Sequence, residues 1–139
     1  MYAGYVFLCE SESLKDCLRH KQFTCSGENV QIVQEMDVGS IVFLFNTDSD
    51  KLVGPFTAAG PSTGLEPGGW REFTDTRTNA SISVEWENLH ELKNAQEKFP
   101  FLKDINICKL SHFQTQDLLN ALKEAPSFNL KKSSEYKHI

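Results

Sequence analysis

Short runs of apolar and β-branched residues predict the β-strands of this chain. Residues 5–9 form an apolar run of strand length, and residues 41–46 form another that ends on Asn46; such runs are typical of strands buried on both faces. Polar turn residues follow the second run, and residues 51–58 then return as its hairpin partner. Because Pro55 has no N–H to donate, this partner should lie at a sheet edge or carry a bulge there. Residues 81–86 alternate polar and apolar positions, which indicates a strand with one solvated face.

Helical spacing of apolar residues predicts two helices. Apolar side chains between positions 14 and 18 fall at i, i+3 and i+4, and either Ser11 or Ser13 can cap the helix that they predict. A leucine stripe between positions 118 and 122 predicts the last helix, with Thr115 as its cap.

The segments between these elements are shorter or richer in turn residues. Residues 23–27 are interpreted as a loop, and residues 30–36 suit a second short element. Residues 59–69 are rich in Gly and Pro and form a loop long enough to suggest a functional role, with Trp70 at its far end.

Composition and charge describe one folded domain without a strong attraction for polyanions. The chain has 139 residues, of which 40% are hydrophobic, so residues 1–127 are predicted to form a single domain and residues 128–139 a polar, basic and mobile tail. Fourteen Lys and Arg against nineteen Asp and Glu give a net charge of −5. This balance excludes a polybasic nucleic-acid binder, so any nucleic-acid contact must depend on a local patch.

The expected environment is the cytoplasm, or the nucleus in a eukaryote. No apolar run is long enough for a membrane span, and no secretory signal precedes the first strand, so neither a membrane partner nor secretion is expected. The four cysteines form no Cys-x-x-Cys pair, so they are interpreted as reduced thiols, and no metal or other cofactor is predicted.

Candidate catalytic patterns do not hold. Residues 60–64 match G-x-S-x-G, but the Gly- and Pro-rich residues 64–69 prevent the helix that this motif requires behind its serine. The histidines are far apart in the chain, at His20, His90, His112 and His138. The chain is therefore predicted not to be an enzyme.

Two tryptophans and one basic stretch leave alternatives open. Trp70 is either a core plug or a flat wall for a stacked ring, whereas Trp86 is predicted to lie in the core. Lys15, Arg19 and Lys21 form either a solvated helix face or a patch that contacts phosphates.

The order of these elements resembles the plant development and cell death domain. The resemblance covers most of residues 3–123, and its most specific part is the middle block. It is carried by residues 3–9, 42–46, 51–59, 65–67 with Trp70, 80–86 and 115–122. That family belongs to a wider set of small β-barrels with the PUA-like, EVE and YTH domains. The resemblance implies an α+β fold, a PUA-like or YTH-like small β-barrel of about six strands flanked by helices.

The resemblance also implies a site. In YTH domains a methylated adenine lies between aromatic walls, and polar groups after the first strand bind the base edge. The positions of this chain that would form the ligand-binding site are Cys9, Glu10, Ser11, Phe23, Thr24, Cys25, Ser26, Asn46 and Trp70. The nucleic-acid backbone would be held by Lys15, Arg19, Lys21 and Arg71.

The predicted function is a non-enzymatic nucleic-acid-binding module. It would capture a modified or flipped nucleobase of RNA or DNA in an aromatic-walled pocket, where stacking offsets the cost of unstacking the base. The alternative is a protein-interaction or regulatory adaptor in stress or cell-death signalling, as implied by the same resemblance, and it is favoured by the acidic composition.

Overall fold

The computed structural model describes residues 4–26, 30–34, 36–61, 79–104 and 107–128. Along the chain the elements are β1 (Gly4–Cys9), α1 (Ser11–His20), β2 (Gln22–Ser26), α2 (Val30–Gln34), β3 (Ile41–Asn46), β4 (Lys51–Pro61), β5 (Asn79–Glu85), β6 (His90–Lys93), α3 (Ala95–Lys98), a 3-10 helix (Pro100–Lys103), β7 (Lys109–Leu110) and α4 (His112–Glu124).

The seven strands of the described chain form one mixed sheet in the order β2-β5-β4-β3-β1-β7, with β6 paired to β4. β1 and β3 are parallel, from Gly4 opposite Ile41 to Cys9 opposite Asn46, and the other ladders are antiparallel. A parallel pair needs a crossover between its strands, which α1, β2 and α2 provide here. Both strands are buried along most of their length, as their continuous apolar runs predict.

The sheet curls without closing, so the predicted barrel applies only loosely. The Phe7 ring of β1 lies 5.8 Å from the Phe23 ring of β2, and Phe23 lies 4.8 Å from the Phe56 ring of β4. Among the described strands, however, no ladder joins β1 to β2. Aromatic packing fills the seam where a closed barrel would have backbone hydrogen bonds, and the fold is an α+β arrangement of an open, curled sheet with flanking helices.

Two apolar cores lie on the two faces of the sheet, and β1 contributes to both. Tyr5 and Phe7 face the inner core, which is shared with α1 and α2, whereas Val6 faces the outer core beneath α4. This assignment follows from the two-residue period of a strand. Leu118 and Leu122 are fully buried in the outer core, which confirms the predicted apolar stripe.

The predicted irregularity at Pro55 is confirmed as a bulge. The register between β3 and β4 shifts between Val42, opposite Phe56, and Leu44, opposite Val53. Pro55 therefore lies in the stretch where β4 has an extra residue. On its other side β4 pairs first with β6 and then with β5, and Pro55 falls between these two ladders, where no backbone donor is needed.

Both helix caps differ from the prediction. The N-cap of α1 is Glu10, whose backbone N–H donates to Ser13 Oγ at 3.0 Å. The N-cap of α4 is Ser111, whose Oγ accepts from the Gln114 N–H at 3.1 Å. Thr115 is instead a buried residue within α4. A serine three residues before a glutamine satisfies two helix-end donors at once, which makes Ser111 the better cap.

The interpretation of residues 23–27 as a loop is wrong over most of its length. Residues 22–26 form β2, because their backbone groups pair with β5 from Gln22 opposite Ser83 to Ser26 opposite Asn79. The strands β6 and β7 were also not predicted, since each is too short to show a period.

Among the described helices, none combines the length and apolar character that crossing a membrane requires.

Candidate functional site

The carboxyl ends of β1 and β3 meet at one edge of the sheet. In open sheets, ligands bind outside the carboxyl ends of parallel strands. Cys9 and Asn46 are register partners there, and α1 begins directly after β1. The structure thus brings together the predicted residues Cys9, Glu10, Ser11 and Asn46; with Asp48 they are called the β1–β3 junction.

Asn46 organises the β1–β3 junction. Its side chain is 1% exposed, and its Nδ2 donates to Ser11 Oγ at 3.0 Å. Its Oδ1 accepts from the backbone N–H groups of Asp48 at 3.1 Å and Ser49 at 3.4 Å. The Ser11 N–H donates to the Asp48 carboxylate at 3.0 Å. These bonds fix the polar groups before any ligand binds.

The β1–β3 junction is acidic. The exposed residues Glu10, Glu12 and Asp48 lie at or near the N-terminus of α1, where the helix dipole favours negative charge. Phosphate groups would be repelled at this edge, whereas carboxylates can accept hydrogen bonds from a neutral partner.

Cys9 is a neutral thiol in this setting. Burial raises the pKa of Cys9 far above its ordinary value, and the neighbouring Cys17, Asp48 and Glu10 raise it further. The thiolate is the nucleophilic form of cysteine, so this residue contributes packing and not covalent chemistry.

Phe23 does not line a surface crevice, contrary to the prediction. It is 1% exposed, and it packs between Phe7 and Phe56 in the inner core. The strand alternation explains this position, because Phe23 points inward and the next residue, Thr24, points to solvent. Cys25 and Ser26 continue β2 opposite Ala80 and Asn79, and their side chains fall outside the described part of the chain.

Three of the predicted basic residues, Lys15, Arg19 and Lys21, lie in α1 or at its C-cap. Arg19 pairs with Asp16 at 3.1 Å on the exposed face of α1, and Lys15 is half-buried one turn away. Lys21 ends α1 and holds its Nζ 5.4 Å from the centre of the Trp86 ring. Trp70 and Arg71 lie outside the described residues.

The sequence interpretation missed the position of Trp86. It was predicted in the core, and it does pack against the inner core, with its ring at 89° to Phe56 and 5.4 Å away. It is nevertheless only half-buried, because it directly follows the last residue of β5. Its place at the end of an alternating strand was the one signal that could have shown this.

Among the described residues, no cluster of three or more His, Cys, Asp or Glu side chains could hold a metal ion.

Comparisons with known proteins agree on the fold. The sequence matches the family model of the development and cell death domain over residues 3–121. The CPSF4 YTH domain of Toxoplasma, solved in complex with a 7-mer m6A-modified RNA, is 13% identical, with a TM-score of 0.71 over 96% of this chain and 98% of that one. The Pho92 YTH domain in complex with m6A is 14% identical, with a TM-score of 0.61 over 91% of this chain and 89% of that one.

A third similar structure comes from a bacterium. It is a protein of Agrobacterium tumefaciens with 10% identity and a TM-score of 0.55, over 91% of this chain and 99% of that one. Among curated proteins, none matches the sequence. The structural similarities identify a YTH-like fold.

Proposed function

This chain belongs to the development and cell death domain family, and on that premise we propose that it is a non-enzymatic module that binds RNA through a modified or flipped base. The observation that carries the proposal is the β1–β3 junction. A parallel pair ends there beside the start of a helix, with polar groups held in place, in a fold shared with YTH domains that were solved with m6A or m6A-modified RNA. A binding test must also distinguish RNA from DNA that carries the same modified base.

The base would enter next to Glu10 and Ser11. The exposed Glu10 carboxylate is an acceptor for a base N–H, and the Asn46 network keeps Ser11 in position. Trp70 is proposed as the aromatic wall on which the base stacks, a contact that contributes about 1–3 kcal/mol per base. With Phe23 in the core, the proposed slot has one stacking wall where two were predicted.

The charge of the chain argues for recognition of the base over the phosphates. A net charge of −5 and an acidic junction leave few cations for the backbone, among which Lys15 and Arg71 are proposed. Affinity for an unmodified strand should therefore be weak and should fall with salt.

Fluorescence anisotropy tests this proposal. A labelled RNA heptamer with one central N6-methyladenosine is titrated with the protein, in parallel with the unmodified RNA and the matching methylated DNA. We expect the methylated RNA to bind at least tenfold more tightly than the unmodified one. Trp70→Ala should reduce that affinity roughly 5- to 150-fold, which corresponds to the loss of one stacking contact.

Phe113→Ala is the matched control. The Phe113 ring is 79% exposed on α4 and belongs to no proposed site, so its loss should leave RNA affinity unchanged. Equal binding of all oligonucleotides, or a Trp70→Ala protein that unfolds by circular dichroism, would contradict the proposed pocket.

The second candidate is a protein-interaction adaptor. Two features favour an adaptor function: the β1–β3 junction is acidic, and Phe23 is buried in the core and cannot serve as a second stacking wall. The absence of any base preference in the binding test would support this second candidate.

A further inference from the structure

An open cleft lies at the opposite end of α1 from the β1–β3 junction. Its volume is about 590 Å³, and its walls are Lys21, the β4 residues Pro55 and Thr57, and residues 85–88. It is called the Trp86 cleft. Ser11 and Lys21 are ten residues apart, so the two sites are separated by about 15 Å along the helix axis.

The aromatic wall of the Trp86 cleft is rigid. Trp86 packs against Phe56 with centroids 5.4 Å apart and ring planes at 89°. Phe56 is fully buried in the inner core, so its contact holds the Trp86 ring in place. Trp86 is only half-buried, and its ring lines the cleft.

The Trp86 ring already holds a cation. The Lys21 Nζ lies 5.4 Å from the ring centre, within the range of a cation–π contact. The Lys21 backbone is fixed, because its N–H donates into the last turn of α1 and its carbonyl accepts from the Val84 N–H at 2.9 Å. Its flexible side chain is exposed, so the ammonium can leave the ring without any change in the fold.

Two carboxylates give the Trp86 cleft its charge. Glu85 and Glu87 line it and are exposed, and within the described part of the chain neither belongs to an ion pair. Among the described residues that line the cleft, Lys21 carries the one ammonium. The described lining therefore has a net negative charge, which repels phosphates and attracts a cation.

We propose that the Trp86 cleft binds an arginine side chain on an extended segment of a partner protein. A guanidinium is planar, so it can stack on the indole and at the same time form paired hydrogen bonds to a carboxylate, which an ammonium cannot do. The arginine takes the place of Lys21 on the ring, and Glu85 or Glu87 accepts its N–H groups. The volume fits a side chain with its adjoining backbone. This inference does not depend on RNA binding at the β1–β3 junction.

A peptide titration followed by NMR tests the inference. The probe is the acetylated and amidated heptapeptide Gly-Ser-Gly-Arg-Gly-Ser-Gly, and its control has citrulline in place of arginine. The readout is the indole N–H signal of Trp86, assigned by its loss in Trp86→Phe. We expect a saturable shift with the arginine peptide and at least tenfold weaker binding of the citrulline peptide.

Three variants separate this cleft from a nucleic-acid site. Glu85→Gln with Glu87→Gln should weaken binding of the arginine peptide at least fivefold, because the carboxylate partners are lost. Lys21→Gln should strengthen it two- to fivefold, because the competing cation is removed. Glu124→Gln, at an exposed position in α4, should have no effect.

Several results would overturn the inference. These are a citrulline peptide that binds equally well, a Lys21→Gln protein that binds the arginine peptide more weakly, and glutamine variants that bind it unchanged. If an RNA heptamer shifts the Trp86 signal and Lys21→Gln weakens the binding of that RNA, the cleft is a nucleic-acid site. Circular dichroism of each variant separates these results from unfolding.

Discussion

At the scale of single residues, a buried amide determines how the two parallel strands end. Asn46 is 1% exposed, and burial of an amide is unfavourable unless its hydrogen bonds are restored. Its three bonds, to Ser11, Asp48 and Ser49, restore them and tie α1 to the turn after β3. The polar group is thus structural as well as available to orient the site.

Asn46→Ala should destabilise the protein by about 1–3 kcal/mol, because two backbone N–H groups and one hydroxyl lose their partner. Urea unfolding followed by circular dichroism measures this change. Asn120→Ala is the matched control: Asn120 is exposed on α4, so its loss should change the free energy of unfolding by less than about 0.5 kcal/mol. Equal effects of the two substitutions would contradict the structural role of Asn46.

At the scale of elements, α4 docks onto the sheet through a close contact at Gly4. A β-carbon built at Gly4 would overlap the Thr115 side chain of α4. Thr115 is itself buried, with its Oγ1 donating to the Ser111 carbonyl at 2.9 Å. Only glycine lets β1 and α4 approach this closely.

Gly4→Ala should cost about 1–3 kcal/mol of stability, the usual cost of overpacking a core. Thr115→Ala removes Oγ1 and Cγ2, the two atoms that overlap most, so the double variant should recover part of that loss. A double-mutant cycle in urea gives the coupling energy between the two positions, which we expect to be at least about 0.5 kcal/mol. Additive effects would show that the helix moves away without strain.

At the scale of the whole molecule, a row of four rings connects the curled sheet to its surface. Phe7, Phe23, Phe56 and Trp86 are in successive contact, with centroids 5.8, 4.8 and 5.4 Å apart. They come from β1, β2, β4 and the end of β5. The same burial that builds this interior keeps its thiols neutral, since burial raises the pKa of Cys9, Cys17 and Cys108.

Because these thiols are neutral in the folded protein, we expect the protein to lose stability at alkaline pH. Burial raises the pKa of Cys108 from 9.0 to about 11. Between these values the unfolded chain releases a proton that the folded chain retains, so the contribution of Cys108 to stability is full below pH 9 and is lost as pH rises towards 11. One thiol changes the free energy of unfolding by at most about 1.4 kcal/mol per pH unit. Urea unfolding under reducing conditions should show a steeper decline between pH 9 and 11 for the native protein than for Cys108→Ala, and parallel declines would refute the assignment.

The sequence by itself determined the elements whose signal is local. Apolar runs identified β1 and β3, the turn chemistry identified the return of β4, and helical spacing identified α1 and α4. Pro55 predicted the bulge, because a missing N–H is a property of the residue alone. Cys9, Glu10, Ser11 and Asn46 of the β1–β3 junction were predicted as site residues from the resemblance to the family, whereas Asp48 was not predicted.

Only the tertiary structure decided the features that depend on contact with a distant segment of the chain. β2 is polar and becomes a strand because β5 lies beside it, and its alternation then places Phe23 in the core instead of in a slot. Trp86 is half-buried because its strand ends there, and Lys21 lies over its ring because α1 ends beside β5. Pairing and burial join residues that are far apart in the chain, and no local pattern specifies which of them will meet.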